Sequence, residues 1–423
     1  MITPSFSLTA TERVLPKMAL DFTTASLDSR VTFTRTGATA TRVNSSGLIE
    51  GVAADTARFD YNPTTLACKG LLIEESRINR RSYSEQFDNA AWTKTASSIS
   101  ANATTAPDGT TTADKLVEDS TSAQHYVVGQ VTGIAITTYT VSSFAKAAGR
   151  DWIFLTEGNN ITASAWFNLS TGAVGTVSGN GSPSATITDY GNGWYRCTMT
   201  ATVIAGTFNV QLRLGAADTV GTYQGDGTSG AYIWGAQLEA GAFATSYIPT
   251  TTAAVTRNAD VATMTGTNFS DWYNATEGTF QVNTVPMYSS PSGTALYSLL
   301  AATNGTFTTE IKLYLYSNFI AYNMANAGVT QSDINLGTQV HGSVAKVLAA
   351  YKTDSIAGCK NASTVGTDSS ATVPVALDRL YIGCRAAASV INNNTGQYYN
   401  GHISRIGYWQ QRLLNNEVQA FSK

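Results

Sequence analysis

Ala185-Thr-Ile-Thr-Asp-Tyr-Gly-Asn-Gly-Trp-Tyr-Arg-Cys-Thr-Met199 holds two runs that alternate apolar and polar residues around a Gly191-Asn-Gly193 turn. A period of two sends successive side chains to opposite faces of a strand. Glycine at the bend accepts the positive φ of a tight turn. The stretch therefore reads as an antiparallel hairpin. The pattern recurs outward in both directions. Residues 30–35 alternate well, and Arg42-Val-Asn-Ser-Ser-Gly-Leu-Ile49 reads as strand, turn, strand around Gly47. Residues 165–174 bend at Ser170-Thr-Gly172, and residues 379–384 and 402–409 look like consecutive core strands. Helical periodicity is confined to two places: residues 9–20, and residues 414–421, where Leu414, Val418 and Phe421 share one helix face. These observations predict an all-β fold of two antiparallel β-sandwich (jelly-roll) modules with an N-terminal hairpin segment and very little helix.

The 423 residues divide into an N-terminal hairpin segment, 1–80, a first sandwich-sized unit, 81–250, and a second, 251–423. Pro249-Thr-Thr-Thr-Ala-Ala254 reads as the linker between the units. No fixed-period repeat and no heptad run is visible, which excludes a solenoid, a propeller and a coiled-coil stalk.

Hydrophobic residues make up 43%, enough for ordinary cores, but charged residues only 13%, about half the usual share. A polar, weakly charged surface suits a protein packed into an assembly. The net charge is −3, and Arg77, Arg80 and Arg81 are too short a group to form a nucleic-acid footprint. No apolar run approaches the roughly 20 residues of a membrane span, and the first residues do not form a signal peptide. Cys68, Cys197, Cys359 and Cys384 show no metal-type spacing and are expected to be free buried thiols.

Three stretches resemble known families. Arg35-Thr-Gly-Ala-Thr-Ala-Thr-Arg-Val-Asn-Ser-Ser-Gly-Leu-Ile-Glu50, with residues 57–61 and Gly70-Leu-Leu-Ile-Glu-Glu75, resembles an N-terminal element of tailed-bacteriophage tail-fibre and minor structural proteins. That element normally continues Arg-Thr-Asn-Leu-Leu. Here Arg77-Ile-Asn-Arg-Arg81 replaces two apolar residues, so an exposed or partner-bound strand end is expected. The span from Tyr83-Ser-Glu-Gln-Phe-Asp-Asn-Ala-Ala-Trp92 to Thr245-Ser-Tyr-Ile-Pro249 is similar to the carbohydrate-binding, galactose-binding-like jelly rolls of phage structural proteins. Residues 378–383, 401–409 and 412–417 are similar to the end of laminin-G/concanavalin A-like lectin sandwiches. Val255-Thr-Arg-Asn-Ala-Asp-Val-Ala262 would normally follow the first stretch closely, which implies that the middle jelly roll is inserted into a sandwich built from both ends. The resemblance implies a virion protein made in the host bacterial cytoplasm: a tail fibre, tail tip or receptor-binding component, or alternatively a head-decoration or collar fibre. Its implied partners are other virion proteins, two further copies in a homotrimer, and host cell-surface polysaccharide, with no nucleic acid and no membrane insertion.

No catalytic constellation stands out. Glu74-Glu75 and Glu118-Asp119 are adjacent pairs, but strand neighbours point to opposite faces, whereas glycoside hydrolysis needs two carboxylates facing one bond. A depolymerase is the enzymatic rival, with carboxylates gathered from distant strands; a bacterial surface lectin is the third reading. His125, His341 and His402 are isolated and read as ordinary surface or strand histidines. Gly225-Asp-Gly-Thr-Ser-Gly230 matches a dinucleotide-binding pattern, but a strand follows it where a helix is required. Its Asp226 is the one candidate ligand for Ca²⁺, and no other cofactor is expected. Sugar binding needs exposed aromatic faces with amides beside them. Trp166, Trp194, Trp234 and Trp409 lie within alternating strands and are assigned to cores. Trp92, Trp152, Tyr223 and Trp272 lie near turns and are the expected platforms, joined by Gln397, Tyr398 and Tyr399 close to Asn392-Asn-Asn394.

Overall fold

The computed structural model describes residues 15–158, 162–287, 296–306, 308–385 and 397–423. Strands dominate them. The two α-helices among the described residues are Thr267–Ser270 and Asn415–Phe421, the second where the spacing of Leu414, Val418 and Phe421 predicts it. The first half of the N-terminal helix expected over residues 9–20 lies outside the described residues, and the described half runs into a strand, Met18–Asp21. Met18 and Leu20 alternate inward there, buried against the C-terminal strand Gly401–Trp409.

One sandwich is built from both ends of the chain. Its eight-stranded sheet runs in the order Gly366–Asp368, Ile356–Lys360, Ala345–Lys352, Glu277–Pro286, Gly401–Trp409, Cys68–Ile73 and Phe59–Tyr61, with Met18–Asp21 also paired to Gly401–Trp409. Its seven-stranded sheet runs Thr32–Thr34, Val261–Thr265, Arg379–Ile382, Leu296–Thr303, Glu310–Tyr316, Phe319–Asn326 and Val329–Thr338. The strands expected over residues 379–384 and 402–409 thus lie in opposite sheets. Phe33, Phe59, Leu71 and Ile73 from the N-terminal segment share one core with Met264, Phe280, Leu300, Tyr322 and Ile406. Gly70 marks the closest seam: its φ is +102°, and a Cβ there would lie 2.3 Å from the Ile403 carbonyl oxygen.

The middle of the chain forms a second sandwich, of two six-stranded antiparallel sheets. One runs Ser184–Asp189, Tyr195–Val203, Thr137–Ala148, Gly230–Ala240, Ala113–Glu118 and Ser97–Thr104. The other runs Ala173–Ser178, Ser164–Asn168, Trp152–Thr156, Gly206–Gly215, Tyr126–Ile134 and Thr93–Thr95. The hairpin quoted first pairs as its alternation dictates, with Ala185 opposite Met199 and Ile187 opposite Cys197. Cys197 and Met199 face the core beside Leu116, Val127, Phe167, Leu212 and Ile233. The strands that lead into and out of this sandwich, Arg77–Asn79 and Val255–Arg257, pair with each other at its base. The segment 249–254 is tied down there: the Tyr83 amide donates to the Thr251 carbonyl, and the Thr250 amide and hydroxyl donate to Ser84 Oγ and the Arg81 carbonyl.

A buried ionic cluster joins the two sandwiches. Arg35 reaches Asp260 at 3.2 Å, Arg58 reaches Glu74 at 2.8 Å and also Asp260, and Arg257 reaches Glu74 at 3.5 Å, all with side chains at most 1% exposed. Ser246, on the segment leaving the middle sandwich, donates to Glu74 through its amide and hydroxyl, each at 2.7 Å. Burial works against the Glu74 carboxylate, but Arg257, Arg58 and Ser246 overcome it and bring its pKa to about 2. Arg81 is also buried, at 2% exposure, which corrects the expectation of an exposed strand end. Its guanidinium stacks 4.0 Å from the Trp92 ring and donates to the Ala91 and Gln130 carbonyls. All four cysteines are free thiols; Cys68 is half-buried and the rest are buried.

Candidate functional site

Most of the expected platforms are structural. Trp92 is 1% exposed, packed on Phe87 with its indole N–H on the Tyr83 carbonyl. Trp272 is 2% exposed, because the short helix before it presses it against Phe269 and Tyr408. Neither offers a free face. Gln397 and Tyr398 form a strand paired with Cys384–Arg385, so this stretch is no open loop; Gln397 and Tyr399 are buried, and Tyr398 is half-buried. Asn392-Asn-Asn394 lies outside the described residues. Trp194, Trp234 and Trp409 lie in hydrophobic clusters, as assigned, whereas Trp166, though 6% exposed, lies outside the sandwich core on the outer face of its sheet.

Tyr223 and Asp226 sit at one end of the middle sandwich, in a closed latch. Glu118 accepts from Arg150 at 2.6 and 2.8 Å, from the Tyr223 hydroxyl at 2.7 Å and from the Asp226 amide at 2.9 Å. Asp226 itself accepts from the Thr228 and Ser229 amides at 2.7 Å and from both hydroxyls. Those donors hold the Asp226 carboxyl well below its usual range. They cap the loop where a cation would need oxygen acceptors, and Arg150 lies 3.9 Å away. Asp226 is therefore a loop cap, which corrects its reading as a Ca²⁺ ligand. Among the described residues no group of three or more His, Cys, Asp and Glu is placed to hold a metal ion. His125 is buried against the Tyr223 ring, and His402 donates through Nε2 to the Asp60 carboxylate at 2.8 Å.

The other six-stranded sheet presents a different surface. Ile153, Leu155, Leu212, Leu214 and Val127 point into the core, so Trp152, Phe154, Gln211, Arg213 and Tyr126 point outward. Register then lines them up across four strands. Phe154 sits opposite both Trp166 and Arg213, and Arg213 sits opposite Tyr126. Phe154 and Trp166 stack with centroids 3.8 Å apart. The Arg213 guanidinium lies 4.4 Å from the Tyr126 centroid and 5.8 Å from that of Phe154. Residues 216–221 fold back over the Phe154–Trp166 end, pinned by Asp218, which accepts from the Thr176 amide and hydroxyl. Trp152 stands beside this flap, half-exposed. At the other end Tyr126 and Arg213 remain half-exposed, with exposed Gln124 accepting from Arg213.

Arg213 is the unusual member. It donates to Gln211 Oε1 through Nε at 2.7 Å and through a terminal nitrogen, and to Gln124 Oε1. Among the described residues it has no carboxylate partner, and burial lowers its pKa while Tyr126 opposes the shift. Two of the five guanidinium N–H groups are left over. Tyr126, Phe154, Trp166, Gln211 and Arg213 were not expected at a site. The outward alternation in Tyr126-Val-Val, Trp152-Ile-Phe-Leu and Gln211-Leu-Arg-Leu is the signal that marks them.

No family model and no curated protein matches the chain. Among solved structures, the Ruminococcus gnavus IT-sialidase CBM40 bound to α2,3-sialyllactose aligns with 36% of this chain and 84% of its own at 16% identity and a TM-score of 0.30. The NanB sialidase from Streptococcus pneumoniae aligns with 37% of this chain and 26% of its own at 12% identity and a TM-score of 0.30. The botulinum neurotoxin serotype D binding domain aligns with 38% of this chain and 40% of its own at 11% identity and a TM-score of 0.27. These partial likenesses assign the chain to no family.

Proposed function

We propose that the chain is a non-enzymatic structural protein of a tailed-bacteriophage particle, in a tail-fibre, tail-tip or receptor-binding position, and that it holds host-surface glycan on the outer face of the Tyr126-bearing sheet. The observation that carries the glycan reading is the half-exposed Tyr126–Arg213 stack with Gln124 and Gln211 beside it. A ring offers a flat apolar surface to the C–H face of a sugar, and amides and a guanidinium answer its hydroxyls. The virion reading is supported by the two stretches that resemble phage structural proteins and by the charge-poor composition, which suits burial between copies in a homotrimer. The non-enzymatic reading is supported by how the acids are used. Glu118 is committed to Arg150 and Tyr223, and Glu74 to Arg58 and Arg257. The depression of about 230 Å³ lined by Asp21 and Asp28 holds no free pair either, since Arg405 and Arg30 take those carboxylates.

The test joins two assays. Native gels containing host capsular or O-antigen polysaccharide should retard the protein, with no new reducing ends after long incubation. Antibody against the chain should label the tails of intact particles. Release of reducing ends would establish a depolymerase, and label on the head would establish a decoration protein.

A further inference from the structure

We infer that the glycan held on this face is acidic, and that Arg213 binds its carboxylate. The inference rests on the glycan reading above and narrows it to a substrate class. Four observations carry it. The Arg213 guanidinium, like those of Arg80, Arg81, Arg196 and Arg412, has no carboxylate partner among the described residues, but it is the one of these set between two rings on the outer face of a sheet; Arg30, Arg35, Arg42, Arg58, Arg77, Arg150, Arg257, Arg379, Arg385 and Arg405 each have a carboxylate partner. Its side chain is held in place before any ligand arrives, by Gln211 and Gln124 on its edges and by the Tyr126 and Phe154 rings on its flanks. Its spare N–H groups belong to a planar fork that matches a carboxylate in two parallel hydrogen bonds. The neighbours that hydrogen bonding and register place around it are neutral: Gln211 and Gln124 hold its edges, and Thr95 and Thr93 lie opposite Tyr126 and Val128 on the adjoining strand.

The last point sets the ligand class. A nucleic acid or a highly sulfated chain would call for a stripe of cations, and here one fixed cation stands in a field of hydrogen-bonding groups. That arrangement matches a sugar carrying one carboxylate and several hydroxyls, as in a uronic-acid polysaccharide. The stacked rings also raise the strength of the contact, because a guanidinium already partly removed from water loses less hydration when a carboxylate replaces it.

The experiment uses the whole chain and paired probes: oligogalacturonide and oligoglucuronide, each beside the neutral oligosaccharide obtained by reducing its carboxyl groups. Calorimetric titration should give at least one acidic member bound roughly 10- to 100-fold more tightly than its reduced twin. R213Q should erase that preference while keeping the weaker neutral binding, and R213K should recover only part of it because an ammonium lacks the fork. Thermal melts of each variant establish that it is folded. The wild-type comparison stands without any variant. Equal affinity for acidic and reduced probes overturns the inference and leaves the glycan face intact, as does an acid preference that survives R213Q. Binding of neither member of any pair overturns the inference together with the glycan reading beneath it.

Discussion

Replacing Arg58 with methionine tests how the two sandwiches are held together. Arg58 is fully buried and donates to the Thr41 carbonyl, Ser246 Oγ, Glu74 and Asp260. Methionine fills much of the volume but answers none of these acceptors. Removing one partner of a buried ion pair costs about 3–5 kcal/mol, because the remaining charges stay buried. That is a large part of the roughly 5–15 kcal/mol that a domain has in reserve. The pH dependence provides a second reading. The Glu74 pKa falls from 4.5 to about 2 on folding, which corresponds to about 3 kcal/mol at neutral pH. A carboxylate depressed in this way stabilises the fold fully above about pH 5, and the contribution disappears as pH falls toward 2. In R58M, Glu74 keeps Arg257, at 3.5 Å, and its two Ser246 hydrogen bonds but loses the nearer guanidinium, so its pKa rises part of the way and the acid limb becomes shallower. Urea unfolding followed by tryptophan fluorescence, from pH 7 down to pH 3, measures both effects. A loss below about 1 kcal/mol with an unchanged acid limb would refute the assignment of this cluster as the joint.

Three further outcomes follow from the same structure. Gly70→Ala should cost about 3 kcal/mol or more, read as a lower melting temperature, because its Cβ meets the Ile403 carbonyl at 2.3 Å and its φ of +102° suits glycine alone. Trp92→Ala should cost about 3–5 kcal/mol by opening a cavity, while the folded fraction binds polysaccharide as before, since the ring is core. Burial first, and Lys69 next, hold the His402 pKa below 6.5. Stability should therefore fall as pH drops below about 6.5, where the unfolded chain takes up the proton first. His402→Gln should flatten that limb in unfolding measured between pH 7 and pH 5.

The fold class was legible because alternation is a local property. The hairpin over residues 185–199 announces itself through Ala185, Ile187, Cys197 and Met199, and those residues do share the core. The helix Asn415–Phe421 was legible for the same reason, through the spacing of Val418 and Phe421. Surface placement was harder to read. Proximity to a turn suggested exposure for Trp92 and Trp272, but each turn folds its own ring inward, onto Phe87 in one case and Phe269 in the other. The row Trp166–Phe154–Arg213–Tyr126 depends on register across four strands, and no short stretch of sequence holds it. The Arg35–Asp260 pair, 225 positions apart, depends on the insertion, so charge patterning along the chain gives no hint of it.

A bound glycan should lie on the outer face of the Tyr126-bearing sheet. Hydrogen exchange of the whole chain, with and without a polysaccharide that retards it in native gels, measures this directly. Protection is predicted in Tyr126–Ile134, Trp152–Thr156 and Gly206–Gly215 and in the flap at 216–221, with the rest unchanged. Protection confined to the eight- and seven-stranded sheets, with these strands unaffected, would contradict it.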